Sequence, residues 1–549
     1  MNDRSNFNIK LITLLVCTAI WSCGDDASNM LSHQSFVQKS GVLLQTPGGK
    51  REVGKRLKKT RGVIDDTFKR QVKLATPAET PSNAIYVSSS QGDDNNDGLS
   101  QNTPIQSISH ALSLMGDNHQ LLLKSGDAWE ERIEEWNWDG TTLSSYGQGE
   151  RPTIPFFYTF GCSNLTISNI HFTEMLWVFF NNEENLLVEN CFMDGTYTTL
   201  VAPHGDNPEF RNVRFINNQI LDAHSEEVLE CGVYMDHIKG LLFEGNTVDY
   251  FSSEQYADLI FDHGIYLQHN CSDVVIRNNT FGHAPTNGIK TNSGAHIYGN
   301  TFLGNSIGIH MGASTDPGRQ PVSGIIEHNT FIGAGRLNDA PRGTGISIAQ
   351  ADGVIVRNNK FYDANESVAV KAITLGGELR DVLVEDNVSS NWGSLGLNGS
   401  DETGQSAFEN VMVRRNVFEG DLDGRNTIHM GVTLTDLETD LQGIKFRDNR
   451  YLQNIEERFA SRQAHPHWNW YDTWTTTLGA DDLGSELWAE AQDDWNFAVP
   501  ADFNFDGVVD MDDFNSWVGA FGGTDWEYDI NGDGIVDIHD FSLLLLQWG

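Results

Sequence analysis

Val274-Val275-Ile276-Arg277-Asn278-Asn279-Thr280-Phe281 is the stretch on which the fold of this chain turns. Its apolar residues alternate, a polar residue and Asn follow, and an apolar residue closes the unit, the pattern of a strand running into a turn. The same unit returns as Leu165-Thr166-Ile167-Ser168-Asn169 and as Val354-Ile355-Val356-Arg357-Asn358-Asn359-Lys360-Phe361. Aligned on the asparagine it gives Asn169, Asn190, Asn218, Asn246, Asn279, Asn300, Asn329, Asn359, Asn387, Asn416 and Asn449, with gaps of 21 to 33 residues. A period of that length signals stacked units, none of which can bury its apolar face alone. Strand-like alternation argues for β-coils rather than mixed αβ repeats.

A second strand recurs ahead of the asparagine strand: Gly232-Val233-Tyr234, Gly264-Ile265-Tyr266, Gly288-Ile289-Lys290, Gly308-Ile309-His310 and Gly345-Ile346-Ser347. The branched residue belongs in the core, and side chains alternate along a strand. Alternation therefore places three columns on the outer face. One begins Glu230, Asp262, Thr286; the middle one is all glycine; the third runs Tyr234, Tyr266, Lys290, His310, Ser347. A glycine floor would let a sugar approach the backbone, with Asp236, Gln268 and Asn292 extending the same face. Alternation turns His263 inward, as a core histidine.

The asparagine repeat resembles the right-handed parallel β-helix of pectate-lyase-like and polygalacturonase-like proteins. That resemblance implies an all-β solenoid whose asparagines form a ladder at a turn, a structural role. Ile85-Tyr86-Val87 followed by Gly92-Asp93-Asp94-Asn95-Asn96-Asp97-Gly98 is similar to the entry segment of such proteins, and Ile108 to Met115 reads as a capping helix. Asp93, Asn95 and Asp97 imitate a calcium loop, but Pro104 stands where a closing carboxylate belongs, so a plain turn is expected. The solenoid is assigned to residues 84–452, and an aromatic cap or connector from His465 onward to 453–498.

Two chemistries suit the outer face. In a lyase, Lys290 takes the proton α to a uronate carboxylate, His310 serves as acid or neutraliser, and Glu230 with Asp262 holds a calcium ion. In a retaining hydrolase, Glu230 and Asp262 act as nucleophile and acid/base, a role that needs carboxyl groups about 5 Å apart. Tyr234, Tyr266 and Asn292 are the candidate sugar-binding residues in either case. Neither the Asn-Thr-Asp nor the Gly-His-Gly signature of polygalacturonases occurs, and fold alone does not choose a reaction. A non-catalytic glycan-binding or spacer β-helix is the rival reading.

The C-terminus carries two copies of a calcium loop. Asp502, Asn504, Asp506, Gly507, Asp510 and Asp513 stand at positions 1, 3, 5, 6, 9 and 12 of the first; Asp529, Asn531, Asp533, Gly534, Asp537 and Asp540 repeat them 27 residues on. Calcium takes six to eight hard oxygens, and glycine permits the sharp turn at position 6. The carbonyls of Val508 and Ile535 fill position 7. Both loops end in Asp rather than the Glu of an ordinary EF-hand. Together with the duplication and a single following helix (Phe514 to Phe521, Phe541 to Trp548), this resembles a dockerin, assigned to residues 499–549. The resemblance implies two bound Ca2+ ions, a cohesin-type protein partner and a carbohydrate-active domain upstream.

Acidic residues outnumber basic ones 76 to 36, a net charge of −40, which argues against nucleic acid or an anionic membrane as partners. The basic residues concentrate between Lys50 and Lys73, inside a Ser/Thr/Gly-rich tether over 24–83. Before it, Arg4 and Lys10 precede the apolar run Leu11 to Trp21, an export signal over 1–23 too short to span a bilayer. Ile20-Trp21-Ser22-Cys23 resembles a lipoprotein box, so the signal is read either as one lipidated on Cys23 or as one cleaved in the ordinary way. Cys162, Cys191, Cys231 and Cys271 show no metal-ligand spacing and read mostly as buried thiols, with a disulfide left open.

Overall fold

The computed structural model describes residues 83–452 apart from 195–198, 204–207, 222–230, 251–262, 313–319, 334–335, 338–339, 342, 363–370, 391, 393, 399–407, 420–427 and 431–442, and beyond these 460–462, 482–488 and 511–521. The signal, Cys23, the tether, Glu230, Asp262 and nearly all the calcium ligands lie outside the described residues.

Each coil is built from up to three short strands. His263–Leu267, Ser272–Arg277 and Thr280–Gly282 make one, and Asn287–Thr291, His296–Tyr298 and Thr301–Leu303 make the next. Each of these strands pairs in parallel with its counterpart one coil away, and among the described residues an antiparallel pair, Arg336–Leu337 with Ala340–Pro341, stands apart from the coils. The pattern runs from Ala84–Val87 past Leu452: Ala460–Arg462, Asp482–Leu483 and Glu486–Trp488 pair as a further coil within the segment read as a cap. Val274 to Ile276 and Val354 to Val356 are strand, as the alternation requires.

The core is one continuous apolar cluster along the axis. The branched residues Val233, Ile265, Ile289, Ile309 and Ile346 are all fully buried in it. Phe281, Phe302, Phe331 and Phe361 stack in turn at centroid separations of 5.4, 4.6 and 4.7 Å, close to the coil spacing.

The asparagine ladder forms from Asn218 to Asn449. Asn246 Nδ2 donates to Asn279 Oδ1 at 3.0 Å, and Asn279 Nδ2 donates to Asn300 Oδ1 at 2.9 Å. The same oxygens accept backbone N–H bonds from the preceding asparagine. Asn169 and Asn190, aligned with the ladder from sequence, stand one residue ahead of it. Their φ values of 58° and 52° put them in the left-handed corner that Asn217, Asn278 and Asn358 occupy in later coils. Ile170 and Cys191 take the ladder position instead, and Cys191 N donates to Asn218 Oδ1.

At the entry, Ser107 caps a helix over Ile108–Leu112, shorter than expected, and the Glu131 carboxylate accepts Ile108 N and Ser109 N. Asp93 and Asp97 spend their oxygens on Asn95, Leu99 and Thr103, as a plain turn does. All four described cysteines are buried free thiols. At the C-terminus a helix spans Met511–Ala520, starting inside the first loop rather than after it, with Trp517 buried.

Candidate functional site

The outward third column forms in the register read from sequence. Tyr234 pairs with Tyr266, Tyr266 with Lys290, Lys290 with His310 and His310 with Ser347. One coil rise, roughly 4.8 Å, separates each from the next. Lys290 and His310 are half-buried. Tyr234 and Tyr266 are more enclosed than an open sugar platform: both are buried, their rings meet edge-to-face at 5.6 Å, and they join an apolar cluster with Trp177, Phe179 and Leu200 outside the main core.

The glycine column does not face outward. A Cβ on Gly264 would meet the Phe281 ring at 3.0 Å, on Gly288 the Phe302 ring at 2.9 Å, on Gly308 the Phe331 ring at 2.4 Å and on Gly345 the Phe361 ring at 2.3 Å. Each of these four lies against the phenylalanine of its own coil, and Gly232 likewise against Val248, so only a missing side chain leaves room there. Because the branched residue after each glycine also points inward, two consecutive residues face the core and the strand bends there. The expected glycine floor for a sugar is therefore absent.

The bend also reverses the expectation for His263. The residue before each glycine, not the one two before it, joins the outer face. His263 pairs with Asn287 in register and lies edge-on to the Tyr266 ring at 5.2 Å. Its Nδ1 is contacted by Asn287 Nδ2 at 3.0 Å and by Thr286 Oγ1. Thr286 and Asn287 are buried, as is Asn292. Asn292 Nδ2 and Gln268 Nε2 both donate to the Tyr266 hydroxyl oxygen, at 3.2 and 3.1 Å. A catalytic phenol would be oriented by such bonds.

The electrostatics of the cluster follow from burial and one cation. Burial, reinforced by the Lys290 charge, pushes His263 down to about 3. Burial first, then Lys290 and His263, holds His310 well below the usual imidazole range. Both shifts favour neutral imidazoles at pH 7, which weighs against the neutraliser alternative of the two parts, acid or neutraliser, expected of His310. Burial also lowers Lys371, which stands five coils beyond Cys231 in the column that carries His263 and Asn287. Sequence alternation missed His263. The signal that would have found it is the Phe rung of each coil, which demands a small residue facing inward.

Among the described residues no group of three or more His, Cys, Asp or Glu side chains could hold a metal ion. Glu230 and Asp262 directly precede Cys231 and His263, which are paired in register.

No curated protein matches the chain. Similar solved structures include a lacto-N-biosidase from Eubacterium ramulus (14% identity, 78% of this chain and 69% of that one, TM-score 0.33). The tailspike protein of E. coli bacteriophage HK620, in complex with a pentasaccharide, is also similar (12% identity, 69% and 75% covered, TM-score 0.44). So is an α-1,3-glucanase catalytic unit from Streptomyces thermodiastaticus (11% identity, 76% and 72% covered, TM-score 0.42). The family model described as the right handed beta helix region matches residues 156–317 and 289–457, together more than half of the 549 residues. With its parallel coils and asparagine ladder, the chain belongs to the right-handed β-helix family.

Proposed function

We propose that the protein is an exported polysaccharide-degrading enzyme that cleaves a uronate-containing chain by β-elimination on the face carrying His263, Tyr266, Lys290 and His310. The observation that carries the reading is the convergence, on neighbouring coils, of one ammonium, two neutral imidazoles and an oriented phenol. β-Elimination needs those parts. A cation must offset the uronate carboxylate so that the adjacent C–H bond becomes acidic; Lys290 is placed for it. A neutral base must take the proton, and a neutral imidazole accepts one where a lysine kept charged would not. His310 supplies that base, and Tyr266 donates to the leaving glycosidic oxygen. The ammonium also answers the net charge, since a polyanion approaching so acidic a protein needs a local cation.

In the same reading the C-terminal loops bind two Ca2+ ions through Asp502, Asn504, Asp506, Val508, Asp510, Asp513 and Asp529, Asn531, Asp533, Ile535, Asp537, Asp540. They dock the enzyme on a cohesin-type protein. Duplicated ligand spacing supports this assignment. Any membrane contact runs through a lipid on Cys23.

The test is a screen of the full chain on uronate-containing and neutral polysaccharides. Absorbance near 235 nm reports the unsaturated ends of an elimination. Reducing ends without that absorbance would instead mean hydrolysis by Glu230 and Asp262, and binding without either product would mean a glycan-binding module.

A further inference from the structure

One nitrogen at the centre of the site is committed before any substrate arrives. His263 Nδ1 is met by Asn287 Nδ2 at 3.0 Å and by Thr286 Oγ1. An amide N–H has only a proton to offer, and a hydroxyl can offer one too. With the Asn287 amide oriented so, Nδ1 is an acceptor, and a neutral ring accepting at Nδ1 carries its proton on Nε2. No hydrogen bond from the described residues reaches Nε2. The ring is buried beside Tyr266; its own register partner one coil on is Asn287, and Lys290, three residues beyond Asn287, is the register partner of Tyr266 and near enough for its charge to act on the ring.

We propose that His263 is a neutral N–H donor to the substrate carboxylate, set in its Nε2–H form by Asn287. The proposal rests on the elimination reading above and gives the carboxylate a second holder. Lys290 supplies charge and His263 supplies direction. The pairing serves the reaction because negative charge moves onto the carboxylate oxygens as the α C–H bond breaks. The proton passes to His310, the electron pair forms the new C–C double bond, and the bond to the glycosidic oxygen breaks, that oxygen taking the Tyr266 proton. A later transfer from His310 to Tyr266 through solvent restores both groups. A fixed donor aimed where charge grows needs no rearrangement during the step. An imidazolium at His263 would bind the resting carboxylate more tightly but would lie beside the Lys290 ammonium in a buried place, which burial and like charge both oppose. Asn287 is a positioning residue in this scheme, acting only through the ring.

The test reads the tautomer directly. In full-length protein labelled with 15N-histidine, long-range 15N–1H correlation assigns the His263 ring by its loss in His263→Gln. The expected result is a protonated Nε2 and an acceptor-type Nδ1 that do not titrate between pH 5 and 8. In Asn287→Asp, a near-isosteric carboxylate that can only accept, the proton should move to Nδ1. A wild-type ring protonated at Nδ1, or on both nitrogens, overturns the proposal. So does a tautomer that stays the same in Asn287→Asp. On the polysaccharide found by the 235 nm screen, His263→Gln retains an N–H and should keep at least ten times the kcat/KM of His263→Leu, with circular dichroism of the two alike. Equal kcat/KM values remove the carboxylate role. If no polysaccharide yields unsaturated ends, the elimination reading fails and takes that role with it, while the tautomer result still decides the assignment to Asn287.

Discussion

The asparagine ladder shows how much a single residue carries here. Asn329 is fully buried; its amide donates to Ile297 O, Glu327 O and Asn359 Oδ1, and its own oxygen accepts from Asn300 N and Nδ2. Replacing it strands buried donors and acceptors on both neighbouring coils, at about 1–3 kcal/mol for each unsatisfied group. Asn329→Leu is therefore expected to lower the urea midpoint sharply, whereas Asn169→Asp, at a left-handed corner that Asp tolerates, should change it little. The glycines offer a second check at this scale. Gly308→Ala brings a methyl group within 2.4 Å of Phe331, an overpacking that costs about 1–3 kcal/mol. Stability, read by urea titration, should fall; a glycine floor for sugar would have shown lost binding at unchanged stability. The ladder was legible in the sequence because an amide that both donates and accepts recurs at a turn. Its first two rungs were misplaced because asparagine also favours the corner residue just before the rung.

A strand in this solenoid must stack on near-copies of itself, and a chain of net charge −40 must do so without setting like charges side by side. The asparagine strands do so over most of their length by alternation along the axis. Glu244 pairs with Arg277, and beyond Tyr298 the column continues Glu327, Arg357, Glu385, Arg414, before a like pair, Arg414 with Arg447, breaks the alternation. Arg357 Nε reaches Glu327 Oε2 at 2.6 Å and His296 Nε2 reaches Oε1 at 2.8 Å. Burial alone would raise the Glu327 carboxyl, but its bond to His296 and the charges of His296 and Arg357 bring it down to about 2. Its stabilisation is complete above pH 4.5 and is lost as pH falls toward 2. Next to it, burial lowers His328 to about 4, so the unfolded chain binds that proton first and stability declines from pH 6.5 downward. Urea midpoints measured from pH 7 to 3 should fall steadily; His328→Gln should flatten the upper part of the profile and Glu327→Gln the lower. The positions of these strands were legible from their alternation. The bend at each glycine was not, because period-2 reading assumes a straight strand. It took the stacked Phe281, Phe302, Phe331 and Phe361 to show why the chain turns two residues inward.

Across the whole molecule a long apolar core in the β-helix stands beside a C-terminal segment rich in carboxylates. The β-helix buries an apolar core of its own, while on the proposed assignment the two loops would repel themselves until calcium neutralised them, so binding free energy there would become folding free energy. Chelator should abolish capture of the full-length protein by a cohesin and make 499–549 sensitive to protease, with the β-helix circular dichroism unchanged. Capture that survives chelator would remove the calcium assignment. The fold was readable at this scale because repeats announce themselves. The reaction was not, because columns from distant coils meet only once the register and the bend are known, as His263 demonstrates. The most direct check of the account is the change in absorbance at 235 nm when the full-length protein and its Lys290→Ala variant meet each of a panel of uronate-containing polysaccharides. The account expects a rise with at least one of them for the unaltered protein, and at least a hundredfold slower rise for a Lys290→Ala variant of the same circular dichroism. A variant as fast as the unaltered protein, or reducing ends released with no change at 235 nm, would contradict it.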